Sequence, residues 1–510
     1  MSTTKRVIKN TGFLYIKMAV TVFISLYTTR LILNSLGASD FGIFNIVAGT
    51  IGLLGFLNST MANATQRFMS YAEGEGDIEN KRKIFNVSIV LHLIIAFFTV
   101  LLLVAVMFPL FDGIINIDNN RIYAAKIVYG SLIISTLLTI INVPYDAVMN
   151  AHENMLYYSV IGIIDSIFRL IVALVCVYTT HDKLIVYGVL MMIIPLLTLS
   201  VMKIYCHKHY EECVYSLKKY WDVKLVKQIA SFSGWNFLTA ISSLFSVQGV
   251  GLVLNHFYGT VLNAAQGIAQ QLNGQMSSFA LNMMKALNPV IVKKAGAKNV
   301  NGMNTVTIAG CKYSTYLMLF FAIPFIIEVS YVLEIWLREV PEWASVFCVL
   351  QIIQTIISQM ANSASTAVYA QGDIKGYAIY KSIMNSMPVL LTYLAFRLGA
   401  APYWLYVPMI VVWAVGGNVV IITYAKKKCG LKINEFIKGV IFPVLGVSLI
   451  MSICGIMPTV FMSSSFIRLV LTCLLTTIGM VIAMCIFGME TQEKEQIKTI
   501  VASYFIKSNI

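Results

Sequence analysis

The chain has 510 residues, of which 58% are hydrophobic and only 12% charged, and its mean hydropathy is +0.78. Soluble domains carry about 25% charged residues, so this chain cannot cover a water-facing surface, and a soluble enzyme is excluded. The net charge of +14 then belongs to the flanks of membrane helices, beside anionic headgroups, and needs no nucleic acid partner.

Apolar stretches of about 20 residues, the length that crosses a hydrocarbon core as a helix, recur along the chain. Fourteen spans are expected, near 11–33, 41–64, 84–108, 122–148, 157–179, 183–205, 233–257, 262–288, 303–330, 343–369, 376–398, 403–425, 437–458 and 466–487. The short alternating segments of a membrane β-barrel are absent. The first stretch is too long for a signal-peptide core and lacks a small-residue cleavage site, so it reads as a retained helix. The fold class is an all-α polytopic membrane protein.

Lys and Arg concentrate at the N-terminus, in the even-numbered connections and in the C-terminal tail, 27 against 6 in the odd-numbered connections. That asymmetry places both termini in the cytoplasm. The chain also repeats itself. Leu31-Ile32-Leu33-Asn34 before Gly37 matches Leu252-Val253-Leu254-Asn255 before Gly259. The offset contains six spans, an even number, so two parallel six-helix bundles are expected, with two extra C-terminal helices. The units are 1–210, a cytoplasmic linker 211–232 with an amphipathic segment at Asp222–Ala230, 233–430, helices 13 and 14 over 431–490, and an amphipathic tail over 491–510. Parallel repeats of this kind bind substrate near the bilayer midplane.

No phosphate-binding loop or paired-histidine metalloprotease helix is present, and no cofactor or catalytic residue is expected. Asp40-Phe41-Gly42 spells a kinase tripeptide inside a turn between membrane helices, a coincidence. Cys206, His207, His209 and Cys213 match no common zinc spacing, so no metal site is assigned. The nine cysteines sit in spans or on the cytoplasmic side and indicate no disulfide framework.

The functional signal is polar content at membrane depth, where an ionisable group is costly and usually faces a cavity or a partner. Lys17, Arg30, Arg169 and Lys285 are the cationic candidates, and Asp165 is placed to pair with Arg169 one turn away. Lys17 and Arg30, thirteen positions apart, lie about 220° apart around an ideal helix. Only Lys17 shares its face with Thr21 and Thr28, and near-terminal cations, Arg30, Lys285 and Lys17 among them, can instead snorkel to the headgroups. The positive interior favours an anionic substrate such as a phosphate or pyrophosphate. Amide stripes at Asn263, Gln266, Gln270 and Asn273, and at Gln351 and Gln354, are expected to line a hydrated cavity able to hold sugars, although such residues also serve as helix–helix contacts.

The stretches TTRLILNSLGASDFGIFNIVAG, PYDAVMNAHENMLYYSVIGIIDSIFRL, LNHFYGTVLNAAQGIAQQLN, MKALNPVIVKK and EVSYVLEIWLREVP resemble the bacterial polysaccharide flippases, the O-antigen and capsule exporters of the multidrug/oligosaccharidyl-lipid/polysaccharide (MOP) superfamily. The resemblance implies a cationic central cavity and alternating-access transfer of undecaprenyl-pyrophosphate-linked oligosaccharides across the bacterial inner membrane. It also implies polysaccharide polymerase and glycosyltransferases as candidate partners. Gln266 departs from the family pattern, which carries Arg there in many members. A multidrug/cation antiporter of the same superfamily is the alternative, and would need buried acids.

Overall fold

The computed structural model describes residues 3–52, 55–114, 117–337, 339–489 and 493–495. Among them there is no strand. Fourteen helical segments follow one another: α1 (3–36), α2 (38–75, undescribed at 53 and 54), α3 (78–114), α4 (Ile122–Ala151), α5 (Met155–Tyr178), α6 (Lys183–His209), α7 (223–258), α8 (260–296), α9 (Val300–Ile327, continued as Val329–Leu337), α10 (Ala344–Ala370), α11 (Lys375–Arg397), α12 (Pro402–Cys429), α13 (Ile433–Phe461) and α14 (Phe466–Gly488). Eleven helical stretches are long and apolar enough to cross a membrane, with 223–296 counted once. Dividing that stretch at its bend and adding the more polar α2 and α11 gives fourteen. Apart from 493–495, the tail 491–510 lies outside the described residues.

The helices start where side chains can take up their free N–H groups. Asp77, Asn154, Asp182, Asp222 and Asn299 each accept a backbone N–H one to two residues inside the helix they precede. Asp222–Ala230, expected as a separate surface segment in the linker, is not separate. Asp222 caps α7 and the following residues are its first turns, with Leu225, Ile229 and Phe232 buried. The linker shrinks to a short connection containing the single turn Leu217–Tyr220.

The sequence repeat has a backbone counterpart. Gly37 (φ 78°, ψ 167°) breaks the α1–α2 stretch and Gly259 (φ 79°, ψ −171°) breaks α7–α8. Two glycines at matching repeat positions thus hold nearly the same conformation, one open essentially to glycine alone. Neither has an atom within 4 Å of where a Cβ would sit, so only the backbone resists a side chain. Gly37→Ala and Gly259→Ala should therefore each cost about 1–3 kcal/mol. Gly49→Ala is equally unobstructed but helical, and should be neutral or stabilise by about 0.5–1 kcal/mol. Thermal melts of the three purified variants test this, and equal melting temperatures would refute the strain assignment.

The helices form two compact units. The first comprises Ile8–Phe237 with Val292–Lys298, the last turn of α8 and the residues after it. Its core joins Ile32, Phe44 and Val47 to Ala125, Val128, Tyr129, Ala173 and Leu184. α4 and α6 approach closely where Gly188 meets Val128, and an added Cβ would lie 2.8 Å from a Val128 methyl. Close approach at small residues is how membrane helices gain packing without a hydrophobic drive between them. The second unit comprises Leu238–Ile291 and the described residues from Asn299 onward, with the chain start up to Val7. Its core is built on Val250, Leu254, Ala265, Phe325, Phe347, Ile352 and Tyr406.

Candidate functional site

In the first unit, Lys17 on α1 is half-buried and reaches α5, its ammonium 4.3 Å from the centre of the Tyr158 ring. Gly162, one turn along, makes room for it: a Cβ there would come within 2.7 Å of the Lys17 Nζ. Asp146 on α4 lies within electrostatic reach of Tyr158 and accepts a hydrogen bond of 3.2 Å from Asn142. Lys17, Tyr158 and Asp146 thus bring a cation, an aromatic face and a carboxylate together from three helices.

Asp165 and Arg169 stand one turn apart on α5 with Nε–Oδ2 at 2.8 Å. The Arg169 side chain is 44% exposed, so its charge is engaged within its own helix on an open face. Arg30 and Lys285 are exposed on α1 and α8. The amides of α8 divide. Gln270 is exposed and Asn273 half-buried. Gln266 is 3% exposed, and its oxygen and that of Asn263 lie over Gly251 of α7, 3.3 and 3.6 Å from the site of a Cβ. Those two serve the α7–α8 contact. On α10, Gln351 donates to Gln354 at 2.9 Å and Gln354 to Ser358 at 3.4 Å, so the stripe is a buried ladder along one helix.

The second unit has two further lysines inside its helices, both within the expected spans 303–330 and 376–398. Lys312 on α9, 2% exposed, is bound by Glu493 at 2.6 Å. Lys381 on α11 lies against Gly417 of α12. Asn385, one turn further, donates to Ser242 and Ser243 of α7 at 3.2 and 2.9 Å.

Each end of the first unit is held by charge. At one end Arg121 binds Asp40 and Asp182, with Nη1–Oδ2 to Asp182 at 2.7 Å, joining three odd-numbered connections. The Asp40 dismissed within a kinase-like tripeptide has a structural task. At the other end Glu73 accepts from Lys81 at 2.8 Å and Lys293 at 3.1 Å. His152 lies 3.6 Å from Glu73 and 2.6 Å from Glu212. Burial alone would push both carboxyls up. Hydrogen bonds from Lys81 and Lys293, with His152 nearby, hold Glu73 below the usual range, and His152 does the same for Glu212. Of the residues weighed as a metal cluster, His209 turns away to stack on Tyr205, whereas His207 packs on Phe85 and Tyr215.

This framework has solved counterparts. Residues 14–175, covering most of α1 through α5, match the MatE family model. An outward-facing multidrug-resistance MATE transporter of the MOP superfamily superposes with a TM-score of 0.67 at 13% identity, over 84% of this chain and 97% of its own. The fold is that of the MATE transporters. A MOP superfamily transporter from Pyrococcus furiosus, whose description reads that a reverse polarity of its binding pocket suggests a different function, gives a TM-score of 0.66 at 15% identity with the same coverage. A mutant of the Vibrio cholerae MATE transporter VcmN gives 0.65 at 15%, again over 84% and 97%. No curated protein matches the chain significantly. At these identities the MATE likeness establishes the fold alone.

Proposed function

We propose that this chain is an alternating-access flippase that carries an anionic lipid-linked oligosaccharide, of the undecaprenyl-pyrophosphate type, across the bacterial inner membrane for surface polysaccharide assembly. Both termini face the cytoplasm in this reading, and polymerase and glycosyltransferases are the natural neighbours of the pathway. The observation that carries it is the sign of the second unit's interior. From Val223 to Ile327, from Ala344 to Gly372 and from Ile374 to Asn434 there is no Asp or Glu at all, while Lys381 lies within α11 and Lys312 of α9 is balanced by Glu493. A site for organic cations or exchanged protons needs a carboxylate at membrane depth, and those stretches offer none. That one MATE-fold protein is described by reversed pocket polarity and a different function supports separating fold from cargo.

The second reading is a multidrug/cation antiporter. It is favoured by Asp146 and Asp165 in the first unit, within the stretch that matches the MatE model. One deletion separates the two. With the gene removed from its host, polyprenyl-linked oligosaccharide should accumulate on the cytoplasmic leaflet and surface glycan should disappear. Normal glycan with altered sensitivity to cationic drugs would establish the antiporter instead.

A further inference from the structure

The second unit holds an ammonium group that nothing in its own helices neutralises. Lys381 lies less than two turns from the start of α11 at Lys375. A lysine so placed ordinarily runs its stem back to the nearer membrane surface. This one does not. Its Nζ lies against Gly417 of α12, where an added Cβ would overlap it. Gly417 precedes the Lys426–Lys428 triplet at the end of α12 by nine residues, a rise of about 14 Å along the helix. The charge is therefore held inward of the basic surface, and among the described residues it has no hydrogen bond or ion pair.

The chain supplies no acid to reach it. No Asp or Glu occurs between Ile374 and Asn434. The two that flank this stretch are engaged, Asp373 with Lys428 at 2.6 Å and Glu435 with Lys432 at 2.9 Å. The groups beside Lys381 are polar and incompletely used. Asn385 is 1% exposed and Ser382 8%, and among the described residues the Asn385 Oδ1 accepts nothing and the Ser382 hydroxyl has no partner. The facing backbone is irregular. α12 widens into a π-type stretch over Met409–Gly416, a feature frequent at functional sites. Asn418 donates at 2.6 Å to Ile357, just before α10 breaks at Met360 and Ala361.

A desolvated cation is costly unless a counter-charge comes to it. We propose that Lys381 is an anion-binding residue of the second unit, taking a phosphate group of the cargo at membrane depth, with Ser382 and Asn385 beside it as neutral hydrogen-bonding partners. The inference rests on the anionic-cargo reading. Each unit then carries its own interior cation, Lys17 in the first and Lys381 in the second.

The test uses the full-length protein in phosphatidylcholine nanodiscs. Binding of farnesyl pyrophosphate is measured by calorimetry, with farnesol as the uncharged control. K381Q should bind at least tenfold more weakly than the unaltered protein, as expected for losing a charge-assisted contact. G417A, which pushes the ammonium aside without removing its charge, should also weaken binding. K381Q should melt no lower than the unaltered protein, because no ion pair is broken. Unchanged affinity in K381Q, or a lowered melting temperature that reveals a structural partner, overturns this assignment while the cargo reading stands. If the unaltered protein binds the pyrophosphate no better than farnesol, both fall. Adding phosphatidylglycerol identifies the source of the phosphate. Competition lost in K381Q would assign the site to resident lipid and overturn its assignment to cargo.

Discussion

Replacing Arg468 by Ala should destabilise the second unit by about 3–5 kcal/mol, the cost of leaving a buried carboxylate without its partner. Glu328 is fully buried at the point where α9 breaks between Ile327 and Val329, and Arg468 stands in the first turn of α14. The guanidinium meets the carboxylate with both arms, Nε–Oε1 at 2.9 Å and Nη2–Oε2 at 2.6 Å. Thr472, one turn along, donates to the same carboxylate at 3.0 Å. The rest of the fork is used on Met462 and Ser464 at 3.2 and 3.0 Å. A planar, bidentate pair of this kind is the geometry in which a buried ion pair recovers its desolvation cost. Arg468→Lys, a point charge without the fork, should lose part of the stability. The double replacement of Glu328 and Arg468 by Met should recover most of it, since neither charge is then orphaned. Thermal unfolding of the three purified variants measures this. A double variant as unstable as Arg468→Ala would show that shape at the α9 break, and not charge pairing, decides the stability.

The fold was legible because a bilayer imposes one length and one hydrogen-bonding solution on every segment. Span boundaries were less so. Hydropathy marks the hydrocarbon core, and helices continue past it, as α2 does to Glu75 and α1 does from Thr3. Lys312 and Lys381 fall inside the expected spans 303–330 and 376–398 but count with the adjoining connections in the charge asymmetry, and α9 from Val300 and α11 from Lys375 carry both. Only where the Lys381 stem points, toward Gly417, separates an inward lysine from a snorkelling one. Asp165–Arg169 was readable because helix periodicity fixes neighbours four residues apart. Glu73 and Lys293, separated by 220 residues, have no such local rule. The glycine repeat was visible as letters, but the shared φ near +80° that explains it belongs to the backbone. The amides of α8 and α10 show the opposite limit. Their spacing was real, yet Gln266 and Gln351 are used on neighbouring helix and chain, which composition does not distinguish from a cavity lining.

Gly74→Ala and Gly296→Ala should each dislodge the end of α8 from α2. The two glycines answer one another. A Cβ on Gly74 would overlap the Lys293 carbonyl and one on Gly296 would overlap the Tyr71 carbonyl, so the backbones touch with no side chain between them. Real Cβ atoms essentially never approach within 3.0 Å, and the obstruction here is backbone, which cannot swing aside as a side chain can. Overpacking at such a contact costs about 1–3 kcal/mol. The same contact is closed by charge, through Glu73 with Lys293 and Lys81 and, by way of His152, Glu212. The Lys293 side chain is 29% exposed, and a partly exposed pair contributes about 0.2–1 kcal/mol. Lys293→Ala should therefore be the milder change. Acid should act in the same direction. Glu73 and Glu212 are held below the usual carboxylate range, so their contribution is complete at neutral pH and is lost as pH falls through their folded-state values. Hydrogen exchange across residues 292–298 reads all three perturbations. It should rise strongly in the two glycine variants, slightly in Lys293→Ala, and progressively on acidification of the unaltered protein. Gly130→Ala, where an added Cβ meets nothing within 4 Å, should leave it unchanged. Exchange that is raised by Lys293→Ala as much as by Gly74→Ala would mean that charge, and not backbone contact, holds this end of α8 in place.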